Sequence, residues 1–369
     1  MVEIGQNERK EIAVPHFDSH VHGRRIPVMN HVLPLAAQRM CGGILEPNTN
    51  PHLQTYDDVA VYLEQAHTIA PNRTWLGSLY LTPHTNEKEV LRCWEEGLIS
   101  HVKWYPPHGS THSGESVAPE ILLEKDSPTG KLFSMMAESG IPLKNHGEVV
   151  SWQGKEIHPE RREGVYFREI QPRIQDTYPG LRQILAHIST RDAVYYMDKH
   201  GDPYNRICEI TPHHLAFDGR ILYDGGFILP DHHCLPVVKT MTRHNHALQA
   251  LIKSRPQYVV AGSDMAAHPT ENKYAFRAFG GFFTYHCSLE LYVQLLGELG
   301  VLNYANDFLF GNLERFHHGR VPDNPKKIRL TNESWTVDTR IGSPSLTFTP
   351  FGYHDEPSKR FQFRWRIVE

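Results

Sequence analysis

Short apolar runs alternate along the chain with longer stretches in which apolar residues recur every three or four positions. That rhythm predicts strands alternating with amphipathic helices, which favours a parallel α/β layout. The runs at 15–22, 43–47, 75–81, 100–105, 141–146, 183–188, 207–212 and 258–263 are the predicted strands. Eight such strands close a (β/α)8 TIM barrel. Between them, Tyr56 to Ala70 places Val59, Tyr62, Leu63 and Ala66 on one helical face, and Asn86 to Leu98 does the same with Val90, Leu91 and Trp94. Thr190 reads as the N-cap of a helix entered by Arg191-Asp192-Ala193, and Leu289 to Leu299 as an outer helix after the last strand. Pro106 to Pro119 and about Asp218 to Asp231, with Gly225-Gly226 inside it, read as long loops. Beyond Asn312 prolines accumulate among alternating segments such as Ser345-Leu346-Thr347-Phe348 and Phe361-Gln362-Phe363-Arg364-Trp365. Residues 1–312 are therefore expected to form the barrel, and 313–369 a C-terminal extension packed on it. No internal repeat is evident.

Composition narrows this little but usefully. A chain of 369 residues, 40% hydrophobic, can bury one large barrel core. The net charge of -4, with both signs interspersed, provides no electrostatic reason to bind nucleic acid or an anionic membrane. The short basic group Pro325-Lys326-Lys327 reads as solvated surface. The five cysteines, Cys41, Cys93, Cys208, Cys234 and Cys287, are dispersed, which suits a reducing cytoplasm better than a disulfide framework. Met1 to Lys10 is polar and carries acids, without the apolar centre of a signal peptide. No run reaches the ~18 apolar residues of a membrane span. The expectation is a soluble, cytoplasmic protein.

The 25 histidines change the picture through their placement. The first predicted strand ends Asp18-Ser19-His20-Val21-His22, and residues two apart on a strand share a face, so both imidazoles project to one side. The fourth strand carries Lys103, the fifth ends at His146, the sixth at His187 and the eighth at Asp264. In a barrel of this kind, catalytic groups gather at the C-terminal ends of the strands. Imidazoles and a carboxylate suit zinc, and a position left for water makes such a site catalytic. A lysine among cations is out of place as an ammonium; as a neutral amine it can take up carbon dioxide and become an anionic carbamate ligand. The alternative is that Lys103 snorkels to solvent, which its place between Val102 and Trp104 disfavours.

His20-x-His22, Lys103, His146, His187 and Asp264 together resemble the amidohydrolase superfamily with its binuclear centre. The finer motifs resemble the dihydroorotases of the short bacterial type: His20-Val21-His22-Gly23-Arg24, Glu46-Pro47-Asn48-Thr49, Lys103-Trp104-Tyr105-Pro106, His146-Gly147-Glu148, His187-Ile188-Ser189-Thr190, Ile210-Thr211-Pro212-His213-His214-Leu215, Cys234-Leu235-Pro236 and Gly262-Ser263-Asp264-Met265-Ala266-Ala267-His268. The resemblance implies two zinc ions, one on His20 and His22, the other on His146 and His187, bridged by carboxylated Lys103. Asp264 would bind the first zinc and act as general base and acid. The reaction implied is the reversible closure of N-carbamoyl-L-aspartate to L-dihydroorotate in pyrimidine biosynthesis, with a metal-activated water as nucleophile of the reverse reaction. Arg24, Asn48 and His268 would clasp the substrate carboxylate that does not react, Leu235 would hold the ring, and Ser110 and Thr111 would lie on a closing lid. A homodimer with a small-molecule substrate is the family expectation.

Some positions depart from the family pattern. Gly23 stands for a bulkier residue, Ser110 for the commoner Thr and Ala267 for a proline, and Lys144 and Asn145 precede His146 where apolar residues are usual. Two other readings compete. A hydantoinase or dihydropyrimidinase would share the metal ligands but needs no carboxylate clasp at Arg24, Asn48 and His268. A catalytically silent barrel serving as a scaffold would be expected to have lost a ligand.

Overall fold

A computed structural model describes residues 10–322 and 325–368; the polar opening before Lys10 lies outside the described residues. Eight strands of the main sheet are labelled here β1 (Phe17–His22), β2 (Gly42–Leu45), β3 (Thr74–Tyr80), β4 (Ile99–Trp104), β5 (Leu143–His146), β6 (Gln183–Ala186), β7 (Arg206–Ile210) and β8 (Val259–Ala261). They pair in parallel in chain order from β1 to β8. Closure falls to the chain just past β8. Gly262, Ser263 and Asp264 leave the strand, and Met265–Ala266 then pairs with Val21 and His22 at the end of β1. The last strand is thus split, one part serving β7 and the other β1.

Burial explains why these strands read as apolar runs. All residues of β1, β2, β4, β5, β6 and β7 are buried, as expected for a parallel sheet covered by helices. The cover comes from helices such as Val28–Ala37, Tyr56–Ile69, Glu87–Glu95, Pro128–Ser139, Arg191–His200, Thr242–Ser254 and Ser288–Glu298. Local chemistry sets several of their ends. Thr55 and Asp58 form a reciprocal capping box, and the Thr190 hydroxyl accepts from the Ala193 N–H. Gly140 closes Pro128–Ser139 at φ 69°, a left-handed conformation that costs glycine no steric strain.

One stretch differs from the sequence expectation. The segment 218–231 is not a plain loop: Tyr223–Asp224 and Phe227–Ile228 form a short antiparallel hairpin turned by Gly225-Gly226. The chain after Asn312 pairs back to its beginning. Ile328–Thr331 lies between Glu11–Val14 and Arg366–Ile367 in a three-stranded sheet. Trp335 stacks on Phe363 at 4.4 Å, and Phe348, Phe351 and Phe363 join the same apolar core as the barrel. Lys326 and Lys327 are exposed. Among the described residues the five cysteines are free, and no helix is long and apolar enough to cross a membrane.

Candidate metal centre at the barrel mouth

The C-terminal ends of the strands bring the sequence-predicted histidines together. His20 Nε2 and His22 Nε2 lie 3.4 and 2.9 Å from the same oxygen, Asp264 Oδ1. One ligand atom from each of these three residues falls within 4.8 Å of the others. The cluster continues through His187, whose ring is 5.1 Å from that of His20 and 4.4 Å from that of His146. Lys103 rises from β4 beside them, fully buried, with its Nζ 3.3 Å from Glu46 Oε2 but making no hydrogen bond.

The backbone is bent to achieve this. His187 and Asp264 both sit at positive φ, 35° and 48°, a region that non-glycine residues enter only when their surroundings compel it. For His187 the compulsion comes from Glu163, whose buried carboxylate accepts the Ser189 and Thr190 N–H groups just beyond it. For Asp264 it comes from Asp18. Asp18 Oδ1 accepts the N–H of His20 at 2.9 Å and of Ser263 at 3.0 Å, tying the split eighth strand to the first. The Tyr285 hydroxyl reinforces the join, accepting the Ala267 N–H while lying 2.5 Å from the His22 carbonyl oxygen.

Electrostatics follow from burial. Burial, helped by Lys103 and Lys144, holds His20 well below its ordinary value of 6.5; His22 and His187 are likewise held low, so these imidazoles are neutral donors of lone pairs. Burial lifts Asp264 to about 7 against the pull of Lys103. Burial also brings the Lys103 ammonium down to about 8, although Glu46 opposes it. Neutral imidazoles, a carboxylate and an amine close to losing its proton fit a divalent cation and not an organic cation. The unpartnered buried atoms point the same way: Lys103 Nζ and His187 Nδ1 have no hydrogen-bond partner, a cost a protein bears where something else is to be bound.

Several residues here carry functional weight that sequence reasoning did not assign. Glu148 Oε2 lies 2.9 Å from His146 Nε2. Glu209 Oε2 lies 2.9 Å from His20 Nδ1. Glu46 reaches Lys103, Lys144 and the Tyr105 hydroxyl. Burial pushes the Glu46 carboxyl up, but Lys103 and Lys144 more than offset this and hold it at about 2. Burial lifts Glu209 to about 7, with Lys144 opposing. The detectable signal was a set of charges in, or just beyond, strands otherwise read as apolar. A second group, His213, His214 and Cys234, also gathers. Its His214 already spends both ring nitrogens, on Thr211 Oγ1 and the Pro236 carbonyl.

Beside the cluster a cavity of about 220 Å³ is lined by Arg24, Asn48, His112 and His268, among others. Arg24 Nε donates to the Ala267 carbonyl at 2.9 Å, and Arg24 Nη2 lies 3.0 Å from His268 Nε2. Asn48 Nδ2 donates to the Thr111 carbonyl at 3.2 Å, which brings the loop after β4 over the same space. Ser110 and Leu235 are not among the lining residues; Ser110 is held by Ser113, and Leu235 packs near Gly280. His112, which the sequence reading did not single out, lines the cavity from that loop at φ 56°.

Comparison with known proteins places this geometry. No protein-family model matches the chain. A dihydroorotase from Methylobacillus flagellatus is 31% identical over 327 residues, covering 88% of this chain and 90% of the relative. One from Nitrosomonas europaea is 29% identical over 333 residues, covering 88% and 90%. Among solved structures, the dihydroorotase of Saccharomyces cerevisiae in complex with 5-fluoroorotic acid superposes with a TM-score of 0.85 at 23% identity, covering 97% of this chain and 98% of that one. An L-hydantoinase from Arthrobacter aurescens gives 0.74 at 17% identity, covering 97% and 83%. Fold, strand-end histidines and a relative above 30% identity over most of both chains agree: the chain belongs to the dihydroorotase family, cyclic amide hydrolases built on a (β/α)8 barrel.

Proposed function

We propose that this protein catalyses the reversible cyclisation of N-carbamoyl-L-aspartate to L-dihydroorotate with two zinc ions. The observation that carries the reading is the convergence of His20 Nε2 and His22 Nε2 on Asp264 Oδ1, with unpartnered Lys103 buried beside them. His20 and His22 would hold one ion and His146 and His187 the other, with Asp264 on the first and carboxylated Lys103 between them. The two ions, when bound, polarise the ring amide carbonyl and make a water nucleophilic at neutral pH.

The chain's own groups then do the positioning and move the protons. Arg24, Asn48 and His268 face one cavity and clasp the substrate carboxylate that takes no part in the reaction; a guanidinium can do so through a two-point fork. Thr111 and Ser110, on the loop that Asn48 touches, would close over the substrate, and Leu235 would hold the ring. In the hydrolytic direction Asp264 removes a proton from the attacking water as the C–O bond forms. It then returns that proton to the ring nitrogen as the C–N bond breaks. A carboxylate placed between the attacking oxygen and the ring nitrogen can accept the proton from one and donate it to the other. In the cyclising direction the steps run backwards and water leaves.

Of the two lysines buried side by side, Lys103 is the one suited to carboxylation. It is unbonded and near neutrality, whereas Lys144 is held as an ammonium by two carboxylates. We also infer that 313–369 is an extension of the barrel rather than an independent domain, since its aromatic residues share the barrel core. A cytoplasmic homodimer, acting on a small molecule, completes the reading by analogy with the family.

Turnover of L-dihydroorotate and N-carbamoyl-L-aspartate by the zinc-loaded protein, beside dihydrouracil and hydantoin, tests it. The expected result is conversion of the first pair alone. Turnover of the second pair alone would keep the metal centre and remove the carboxylate clasp.

A further inference from the structure

Below the histidine cluster, the barrel interior holds a second set of buried charges. Lys144 on β5 sends its Nζ to 2.5 Å from Glu46 Oε1, 2.7 Å from Glu209 Oε1 and 2.7 Å from the Ser19 carbonyl oxygen. Its three N–H donors therefore have three acceptors, and Lys144, Glu46 and Glu209 are all essentially inaccessible to solvent. Taking such ions out of water costs several kcal/mol each unless every partner is present.

The network reaches the metal centre through Glu46, 3.3 Å from Lys103 Nζ, and through Glu209. Glu209 has given Oε1 to Lys144, and its other oxygen, Oε2, lies 2.9 Å from His20 Nδ1. A neutral imidazole carries a single ring proton, and which nitrogen bears it decides which lone pair is free. Opposite a carboxylate the proton belongs on Nδ1. Nε2, the nitrogen facing Asp264 Oδ1 and His22, then keeps its lone pair. His146 is handled in the mirror sense, with Glu148 beside its Nε2, which leaves Nδ1 free.

We propose that Glu209 is a positioning residue that fixes the metal-binding tautomer and ring orientation of His20, and that Lys144, braced by Glu46 and Ser19, fixes Glu209. The inference rests on the metal-centre reading and deepens it. Outer carboxylates that hold a ligating imidazole contribute about 10–100-fold to metal affinity.

The test reads metal and protons, not turnover. Zinc affinity is measured by chelator competition for wild type, Glu209→Leu and Glu209→Gln. Cobalt-loaded wild type is examined for the hyperfine-shifted, exchangeable proton of a ligating His20 Nδ1–H, assigned with His20→Gln. Leucine leaves Lys144 with Glu46 and Ser19, so the fold, read by circular dichroism and gel filtration, is expected to survive while zinc binds about 10–100-fold more weakly. The glutamine carbonyl can face His20 or Lys144 but not both, so that variant should fall between. In wild type the Nδ1 proton should be present and slow to exchange. Should neither variant fold, that spectrum decides alone. Wild-type affinity in both variants, or a cobalt spectrum without the proton, overturns the proposal and leaves the dihydroorotase reading standing. A wild-type protein that binds no divalent ion overturns the metal centre and this inference together. Failure to turn over dihydroorotate, with the metal results as expected, removes only the substrate assignment.

Discussion

Lys103 and Lys144 are register partners on neighbouring strands, both buried in the same barrel, yet their surroundings differ in kind. Lys103 makes no hydrogen bond, and burial brings its ammonium down to about 8. Burial works against Lys144 too, but Glu209 and Glu46 override it and hold its pKa above the ordinary value. The same contrast separates the two layers they belong to. At the mouth, Lys103 Nζ and His187 Nδ1 are left without hydrogen-bond partners. One layer down, the Lys144 ammonium has three acceptors. Buried polar groups in native proteins are almost always satisfied, which supports the reading of Lys103 as part of a ligand site and of Lys144 as part of its brace.

The largest expected effect breaks the upper layer. Lys103→Ala removes the side chain proposed to bridge the two ions, and should lower turnover about 10³-fold or more while costing at least one ion per chain, read by steady-state kinetics and elemental analysis. Breaking the lower layer should affect folding first. Lys144→Met leaves Glu46 and Glu209 buried without their shared cation, and should cost about 3–5 kcal/mol in urea unfolding. Adding Glu46→Met to that variant should recover part of the loss. Arg24→Met touches neither layer but empties one side of the substrate cavity. It should raise KM for dihydroorotate about 10²-fold, with a smaller change in kcat.

The smallest effect per group comes from pH. Burial depresses His20, His22, His101, His187 and His268 well below 6.5. For each, the unfolded chain binds a proton below 6.5 that the folded chain refuses, so stability present above 6.5 is lost as pH falls. The loss is about 1.4 kcal/mol per histidine per pH unit. Asp264, lifted to about 7 from 3.8, works in the other direction, its contribution fading as pH rises through that window. Glu209, also lifted to about 7, acts in the same sense as Asp264, but the depressed histidines outnumber the two carboxyls, and thermal scans of the metal-free protein should show the melting temperature falling from pH 7 to pH 5.

Much of the mouth was legible because its signals are local. Burial on both faces makes Ile184–Ala186 of β6 and Val259–Ala261 of β8 apolar runs, and the histidine or aspartate that follows such a run stands out. The lower layer was not legible, because its meaning is tertiary. Glu46, just past β2, Lys144 on β5 and Glu209 on β7 come from separate parts of the chain, the first two 98 positions apart, and nothing in spacing announces that their charges meet. Lys144 was visible as a departure from an apolar position, but its partners were not. The positive φ of His187 and Asp264, and the splitting of the eighth strand, depend on Glu163 and Asp18 acting from elsewhere in the chain. The hairpin at 223–228 was recoverable, since Gly225-Gly226 is a turn signal flanked by apolar residues.

The central claim is that the unpartnered layer is a binuclear centre bridged by Lys103. Protein prepared with excess zinc and ¹³C-bicarbonate should retain two zinc ions per chain after gel filtration, and should display one carbamate ¹³C resonance that Lys103→Ala abolishes. A single ion or none, or a carbamate signal that survives the loss of Lys103, would contradict it.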